Sequence, residues 1–162
     1  MTETTKNYKE NGFVGFLSIR QLCTNNVTLP VSAGVYIVLR ESDQKPHFLT
    51  VGSGGHFKGN NPNLPVSRLE ENYIGENRVV YIGQTSCLKR RFRELLRFGA
   101  GSDVGHWGGR ALWQLSDHDD LIIAWKPMSE VESKAEKARM LQKFVSVYGK
   151  LPFANLKKCH TF

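Results

Sequence analysis

Short apolar runs alternate with helical patterns along this chain. Three runs are rich in β-branched and aromatic residues, the composition of buried strands: Gly34–Leu39, Arg78–Gly83 and Leu121–Trp125. Segments with helical spacing follow the last two runs, at 88–98 and between Ser129 and Gly149. The pattern predicts an α/β (α+β) fold, in which a small, mainly antiparallel sheet of three core strands is flanked by helices.

The helix at 88–98 separates apolar from cationic side chains, and one arginine belongs to neither group. Leu88, Phe92, Leu95 and Leu96 share one side, and Arg90, Arg93 and Arg97 share the other, with Glu94 beside them. At about 100° per residue, Arg91 lies on the flank of the apolar face and leans over the preceding strand beside Tyr81. A cation held there could face a negatively charged substrate. The alternative is a surface arginine whose stem covers apolar neighbours.

The sequence predicts a polar N-terminal segment followed by one domain. Residues 1–11 are predicted to be flexible, and residues 12–162 to form a single domain. A long connection, 40–77, separates the first two strands, with a possible strand at 47–51 and a short helix at 64–72. Because long loops on compact domains are often functional, we interpret this insertion as a possible substrate-recognition element.

A glycine-rich loop follows the arginine-rich helix, from Gly99 to Arg110. So many glycines indicate a loop in which the backbone approaches its neighbours closely. His106, Trp107 and Arg110 could contact a nucleic-acid backbone or stack on a base. Alternatively, the tryptophan anchors the loop on the core.

The last helix offers two candidate carboxylates. Ser129 and Glu132 have the spacing of a capping box, which gives Glu132 a structural role. Glu136 has no such role and flanks the wide apolar face of the helix. Gly149 suits the end of this helix, and Asn155 follows in a turn.

Charge and cysteine content narrow the functional classes. The net charge is +7 and the sequence pI is about 9.5, which favours a polyanionic partner. Lys89, Arg90, Arg91, Arg93 and Arg97 concentrate the charge, although such clusters are usually solvated helix faces. Three cysteines without metal-ligand spacing, Cys23, Cys87 and Cys159, indicate reduced thiols in a cytoplasmic protein. No apolar run is long enough to predict a membrane span.

Five sequence features, taken in order, resemble the GIY-YIG nuclease superfamily. They are Gly34-Val35-Tyr36, Tyr81-Ile82-Gly83, Leu88-x-x-Arg91, Glu136 on a helix, and Pro152-Phe153-Ala154-Asn155. The resemblance implies an endonuclease that hydrolyses DNA phosphodiester bonds with Mg²⁺ or Mn²⁺ as cofactor. It covers the chain from about Gly34 to Asn155, and the 40–77 insertion is longer than the short hairpin of many members.

The resemblance also implies roles for individual residues. Glu136 would hold the divalent cation, and Arg91 would steady the phosphate. Tyr36 and Tyr81 would line the site, one of them orienting or activating water, and Asn155 would brace it. Many members carry a histidine four residues after the arginine, where this chain has Leu95, so either His106 or Tyr36 would supply the base. The expected nucleic-acid contacts are Lys89, Arg90, Arg93, Arg97, Trp107 and Arg110.

Two other functions fit the same residues. The first is a nucleic-acid-binding module that keeps the fold but has lost turnover. The second is a regulatory protein whose basic face meets an acidic protein. Each site residue also has a structural alternative, since strand tyrosines usually pack in cores and helical glutamates are usually solvated.

Overall fold

Four strands form one antiparallel sheet in the computed structural model, which describes residues 2–156. They lie in the order β1-β4-β2-β3, and every neighbouring pair is antiparallel. Their bounds are Val14–Ser18 (β1), Gly34–Leu39 (β2), Val79–Thr85 (β3) and Ile122–Pro127 (β4). The α+β class is confirmed, but the predicted three-stranded sheet is corrected to four strands. β1 escaped prediction because its register with β4 shifts between Gly15 and Leu17, and Gly15 and Phe16 both have positive φ.

Five α-helices and three short 3₁₀ helices surround this sheet in the described part of the chain. The α-helices are Glu3–Glu10 (α1), Ile19–Thr24 (α2), Val66–Asn72 (α3), Leu88–Gly99 (α4) and Glu130–Tyr148 (α5). The 3₁₀ helices are Phe57–Gly59, Trp107–Gln114 and His118–Asp120.

Helix α1 forms within the N-terminal segment that was predicted to be flexible. Thr2 caps the helix by accepting a hydrogen bond from the backbone N–H of Thr5. At its other end, the Tyr8 ring meets Phe13 edge to face at 5.1 Å between centroids. The polar composition of this segment therefore concealed an anchored helix, because a cap and one aromatic contact are not visible as periodicity.

The sheet has two covered faces, which carry different helices. Tyr36, Val38, Tyr81 and Trp125 project on one side, hereafter the tyrosine face, where α4 inserts Phe92 and Leu95. Val35, Ile37, Ile82 and Ala124 project on the other side, hereafter the α5 face, where α5 inserts Met140 and Phe144. Because strand side chains alternate between faces, this division follows from the register of β2 with its two neighbours.

The insertion 40–77 contributes Leu64 and Leu69 to the core on the tyrosine face. The strand predicted at 47–51 is reduced to one isolated bridge, between Phe48 and Leu115. Helix α3 forms within the predicted 64–72 segment and buries Leu69. The buried Gln114 amide ties the insertion to the 3₁₀ helix Trp107–Gln114, since it accepts from the Leu64 N–H and donates to the Leu64 carbonyl.

The ends of α5 lie where the sequence predicted them. The Ser129 hydroxyl accepts from the backbone N–H of Glu132 at 3.1 Å, and Gly149 takes the left-handed conformation at the C-terminus. In the range 2–156, no helix has both the length and the hydrophobicity needed to cross a bilayer. Cys23 and Cys87 are free thiols, and Cys159 lies outside the described residues.

Candidate functional site

The two tyrosines meet on the tyrosine face because β2 and β3 are hydrogen-bonded neighbours. Tyr36 lies opposite Gly83, and Tyr81 lies opposite Val38, which places the two ring centroids 5.9 Å apart. The missing side chain at Gly83 makes this possible, because a Cβ there would lie 2.2 Å from the Tyr36 ring. Gly83 is therefore required, because any larger residue would occupy the space of the Tyr36 ring.

His106 completes the buried part of the cluster. The side chain is fully buried, and its Nε2 lies 3.0 Å from the Tyr36 hydroxyl. Burial, together with the Arg91 charge, lowers the pKa of His106 to about 3. Burial also raises the pKa of Tyr36 well above its usual value. Both shifts oppose proton transfer from tyrosine to imidazole, so the pair is neutral in this structure.

Arg91 supplies the positive charge of the cluster. Its Nη1 donates to the Glu94 carboxylate at 2.8 Å and to the Gly105 carbonyl at 2.5 Å, and the side chain is 25% exposed. Burial alone lowers the pKa of Arg91, but Tyr36, Glu94 and Tyr81 outweigh that effect and raise it overall. The guanidinium therefore stays charged beside the hydroxyls of Tyr36 and Tyr81.

Tyr81 lies beside this cation and is 6% exposed, whereas Tyr36 is fully buried. Burial raises the pKa of Tyr81, while Arg91 acts in the opposite direction. A Cβ at the exposed Gly108 would lie 3.7 Å from the Tyr81 hydroxyl, so the glycine loop passes directly over that oxygen. Of the two tyrosine hydroxyls, that of Tyr81 is the one a surface ligand would meet first.

Asn155 braces the strand that carries Tyr81. Its amide oxygen accepts from the Ile82 N–H at 2.9 Å, and its amide nitrogen donates to the Ile82 carbonyl at 2.9 Å. The Ala154 N–H donates to the Val80 carbonyl at 2.8 Å. Because β3 is an edge strand, these bonds satisfy groups that would otherwise lack a sheet partner.

Glu136 does not join the cluster. It lies on α5, on the other side of the sheet, in a groove lined partly by Ile82, Lys126 and Arg139. Both of its carboxylate oxygens accept hydrogen bonds from Arg139. The Arg139 hydrogen bond is the main cause that lowers the pKa of Glu136, with a further contribution from Lys126. This placement corrects the expectation that Glu136 and the tyrosines share one site.

The outer face of α4 is cationic, as its spacing predicted. Lys89, Arg90, Arg93 and Arg97 are exposed. Arg90 lies 3.6 Å from the Glu94 carboxylate, whereas Arg93 and Arg97 have no ion pair among the described residues. Trp107 meets Phe98 edge to face at 6.4 Å, and the Arg110 guanidinium lies 4.5 Å from the centroid of its ring. The tryptophan therefore anchors the loop and also carries a stacked cation.

Sequence reasoning missed two partners of Arg91. Glu94 could have been identified, because residues three apart on a helix are neighbours. The Gly105 carbonyl and the burial of His106 could not, since the loop that carries them has no periodicity. In residues 2–156, no group of three or more histidine, cysteine or acidic side chains is arranged to hold a metal ion.

Comparisons with protein-family models, with curated proteins and with solved structures find no match for this chain. The resemblance to the GIY-YIG superfamily thus rests on the motif residues alone.

Proposed function

We propose that this protein is a cytoplasmic endonuclease of the GIY-YIG type, which binds DNA along α4 and hydrolyses phosphodiester bonds at the tyrosine cluster. The observation that carries the proposal is the convergence of Tyr36, Tyr81, His106 and Arg91, with the unpaired cations of α4 beside them. Phosphodiester hydrolysis needs a positioned cation at the phosphate and an oriented nucleophile, and this arrangement offers groups for both tasks.

The cluster suggests a division of roles. The Arg91 guanidinium would bind a phosphate oxygen, because a guanidinium matches the geometry of that group. The Tyr81 hydroxyl, beside this cation, would orient the attacking water. The neutral Tyr36–His106 pair would hold the ring of Tyr36 and, through it, the position of Tyr81. Asn155 would keep β3 in register.

The divalent ion implied by the resemblance does not fit at Glu136. A carboxylate that binds such an ion needs free oxygens in a site of low positive charge. Both oxygens of Glu136 instead accept hydrogen bonds from Arg139, and Lys126 lies near the carboxylate. Dependence on Mg²⁺ or Mn²⁺ stays part of the proposal, but we assign no residue to hold the ion.

A specific observation favours the second candidate, a nucleic-acid-binding module without turnover. The carboxylate beside Arg91 is Glu94, and ion pairs with Arg91 and Arg90 neutralise its charge. Like Glu136, it is therefore poorly suited to hold the divalent ion that hydrolysis would use. The cationic face of α4 would serve binding equally well with or without hydrolysis.

One experiment separates the candidates. Supercoiled plasmid and single-stranded DNA are incubated with the protein, with and without Mg²⁺ or Mn²⁺, and binding is measured on the same substrates. We expect cleavage that is lost in Arg91→Ala and kept in the control Arg20→Ala, whose side chain belongs to α2 and pairs with Asp120. Salt-sensitive binding without cleavage would select the binding module. The absence of both binding and cleavage would point to a protein partner of the basic face.

A further inference from the structure

We propose that Arg68 and Arg110 form a phosphate-binding site beside the tyrosine cluster. It would take a neighbouring phosphate of the same nucleic-acid strand, an assignment that rests on the proposed function. Arg68 belongs to the insertion, which would thereby contribute directly to substrate binding.

Arg110 is held in place before any ligand arrives. Its Nη1 donates to the Trp107 carbonyl at 3.1 Å, and its guanidinium stacks over the Trp107 ring. The ring is itself fixed against Phe98 of α4. A stacked, half-buried guanidinium loses little freedom when it binds an anion, so it binds more favourably than a mobile surface cation.

Arg68 is brought to Arg110 by the contacts of the insertion. Helix α3 begins two residues after Leu64, whose backbone N–H and carbonyl both bind the buried Gln114 amide. Gln114 ends the same 3₁₀ helix that carries Arg110. Arg68 lies four residues after Leu64 and Arg110 four residues before Gln114, so these hydrogen bonds bring the two segments together. In agreement, Arg68 contributes, after burial, to lowering the pKa of Arg110.

The two cations lack a compensating carboxylate. Six arginines of the described chain form ion pairs with acidic side chains: Arg20, Arg40, Arg78, Arg90, Arg91 and Arg139. Within residues 2–156, neither Arg68 nor Arg110 does so. Two adjacent like charges repel each other, and a bound phosphate would replace this repulsion with two charge-assisted hydrogen bonds.

Its position links this site to the tyrosines. Gly108 lies between Trp107 and Arg110 in sequence and faces the Tyr81 hydroxyl. A strand with one phosphate at Arg91 would therefore pass over Gly108 and present its next phosphates to Arg110 and Arg68.

The test measures oligonucleotide binding by fluorescence anisotropy over a range of salt concentrations. Arg68→Ala and Arg110→Ala should each weaken binding by about tenfold at low salt. Each should also make the salt dependence shallower by about one counterion. Arg110→Lys should keep the salt slope but bind more weakly than the wild type, because lysine lacks the bidentate fork. The control Arg20→Ala removes a distant, paired arginine and should change neither quantity. Unchanged melting temperatures would establish that the variants fold.

The outcomes distinguish this inference from the proposed function. If the Arg93→Ala and Arg97→Ala variants weaken binding while Arg68→Ala and Arg110→Ala do not, the second phosphate site is wrong and the DNA-binding function stands. If the wild type binds no oligonucleotide, the proposed function fails. Inorganic pyrophosphate then decides the site itself: a rise in melting temperature in the wild type that is lost in Arg68→Ala and Arg110→Ala would retain it. No such rise would overturn it.

Discussion

The two faces of the sheet hold similar side chains in opposite environments. On the tyrosine face, Tyr36, Tyr81 and His106 are buried around the partly exposed Arg91. On the α5 face, Tyr8, Tyr148, Glu136 and Arg139 line an open groove between α1 and α5. Both faces thus combine tyrosines with an arginine. The first buries its tyrosines and histidine almost completely, whereas the second buries Tyr8 enough to raise its pKa but leaves Arg139 exposed.

The difference lies in what each arrangement costs. An ion pair in an open groove is screened by water and contributes little to stability, so Glu136 and Arg139 need no further explanation. A buried histidine is costly unless its polar atoms are satisfied, and the Nδ1 of His106 has no hydrogen-bond partner. We infer that the tyrosine face retains its unfavourable polar cluster because the cluster serves a function, and five predictions test this contrast.

The largest expected effect is on stability at acidic pH. The pKa of His106 is about 3 in the folded protein and about 6.5 in the unfolded chain. Between these values the unfolded state binds a proton that the folded state does not. The folded protein therefore keeps its full stability above about pH 6.5, and this stability is lost as the pH falls toward 3. Unfolding in denaturant should show a loss of about 2 kcal/mol between pH 7 and pH 5 from this residue.

The matched variants for this measurement are His106→Gln and His56→Gln. The first removes the buried imidazole and should flatten the pH dependence, whereas the second changes an exposed histidine and should keep the wild-type slope. Equal slopes in the wild type and His106→Gln would show that His106 titrates alike in both states, which contradicts its burial.

The next effect concerns the tyrosine hydroxyls of the two faces. Tyr81→Phe should lower the cleavage rate by on the order of 100-fold, the scale of a positioned acid–base group. Tyr148→Phe, on the α5 face, should cleave like the wild type, although it loses the 2.7 Å hydrogen bond from Asn77. Rates are measured on supercoiled plasmid, with melting temperatures as the folding control. Normal cleavage by Tyr81→Phe would remove Tyr81 from the mechanism.

Tyr36→Phe requires a separate expectation, because its hydroxyl is the partner of His106. From sequence, this substitution should leave the melting temperature almost unchanged, since the ring still fills its space. The structure changes that expectation: Phe would leave both His106 nitrogens without a partner and cost about 1–3 kcal/mol. A lower cleavage rate in Tyr36→Phe therefore counts as chemistry only after correction for this loss of stability.

A smaller effect tests the packing of the tyrosine face. An Ala side chain at Gly83 would place its Cβ 2.2 Å from the Tyr36 ring, and overpacking of this kind costs about 1–3 kcal/mol. The control is Gly75→Ala, because a Cβ at Gly75 has no atom within 4 Å. Denaturant unfolding should separate the two variants. Equal stability would mean that the ring of Tyr36 moves freely, and the close approach of the two tyrosines would lose its structural basis.

The contrast also shows what could be read from the sequence. β2 and α4 were located by composition and periodicity, and the position of Arg91 beside Tyr81 follows from helical geometry and the adjacency of β2 and β3. The pattern of α5 predicts which side of that helix is buried. It carries no information on which face of the sheet the helix covers, and the misplacement of Glu136 came from that gap.

The loop residues were unpredictable for another reason. His106 is buried by contacts with Tyr36 and by the path of the glycine loop. Neither cause produces a periodic pattern of apolar residues in the sequence. The tight passage of that loop depends on backbone conformation at its glycines, such as Gly101 with φ of 97°. Composition indicated a close-packed loop correctly, but its contacts depend on long-range packing.

The smallest expected effect concerns Glu136 and decides what the α5 face contributes. Glu136→Gln removes a screened ion pair with Arg139, so stability should fall by less than about 1 kcal/mol. Cleavage in Mg²⁺ or Mn²⁺ should continue at the wild-type rate, because the sheet separates this carboxylate from Arg91 and the tyrosines. The family resemblance implies the opposite result, namely loss of divalent-dependent cleavage with DNA binding intact. Measuring rate and metal affinity in Glu136→Gln, with Glu132→Gln as the matched control one turn earlier on α5, chooses between them. A loss of divalent-dependent cleavage in Glu136→Gln but not in Glu132→Gln would place the metal site on α5. Groups from both faces of the sheet would then have to act on one substrate at the edge of β3.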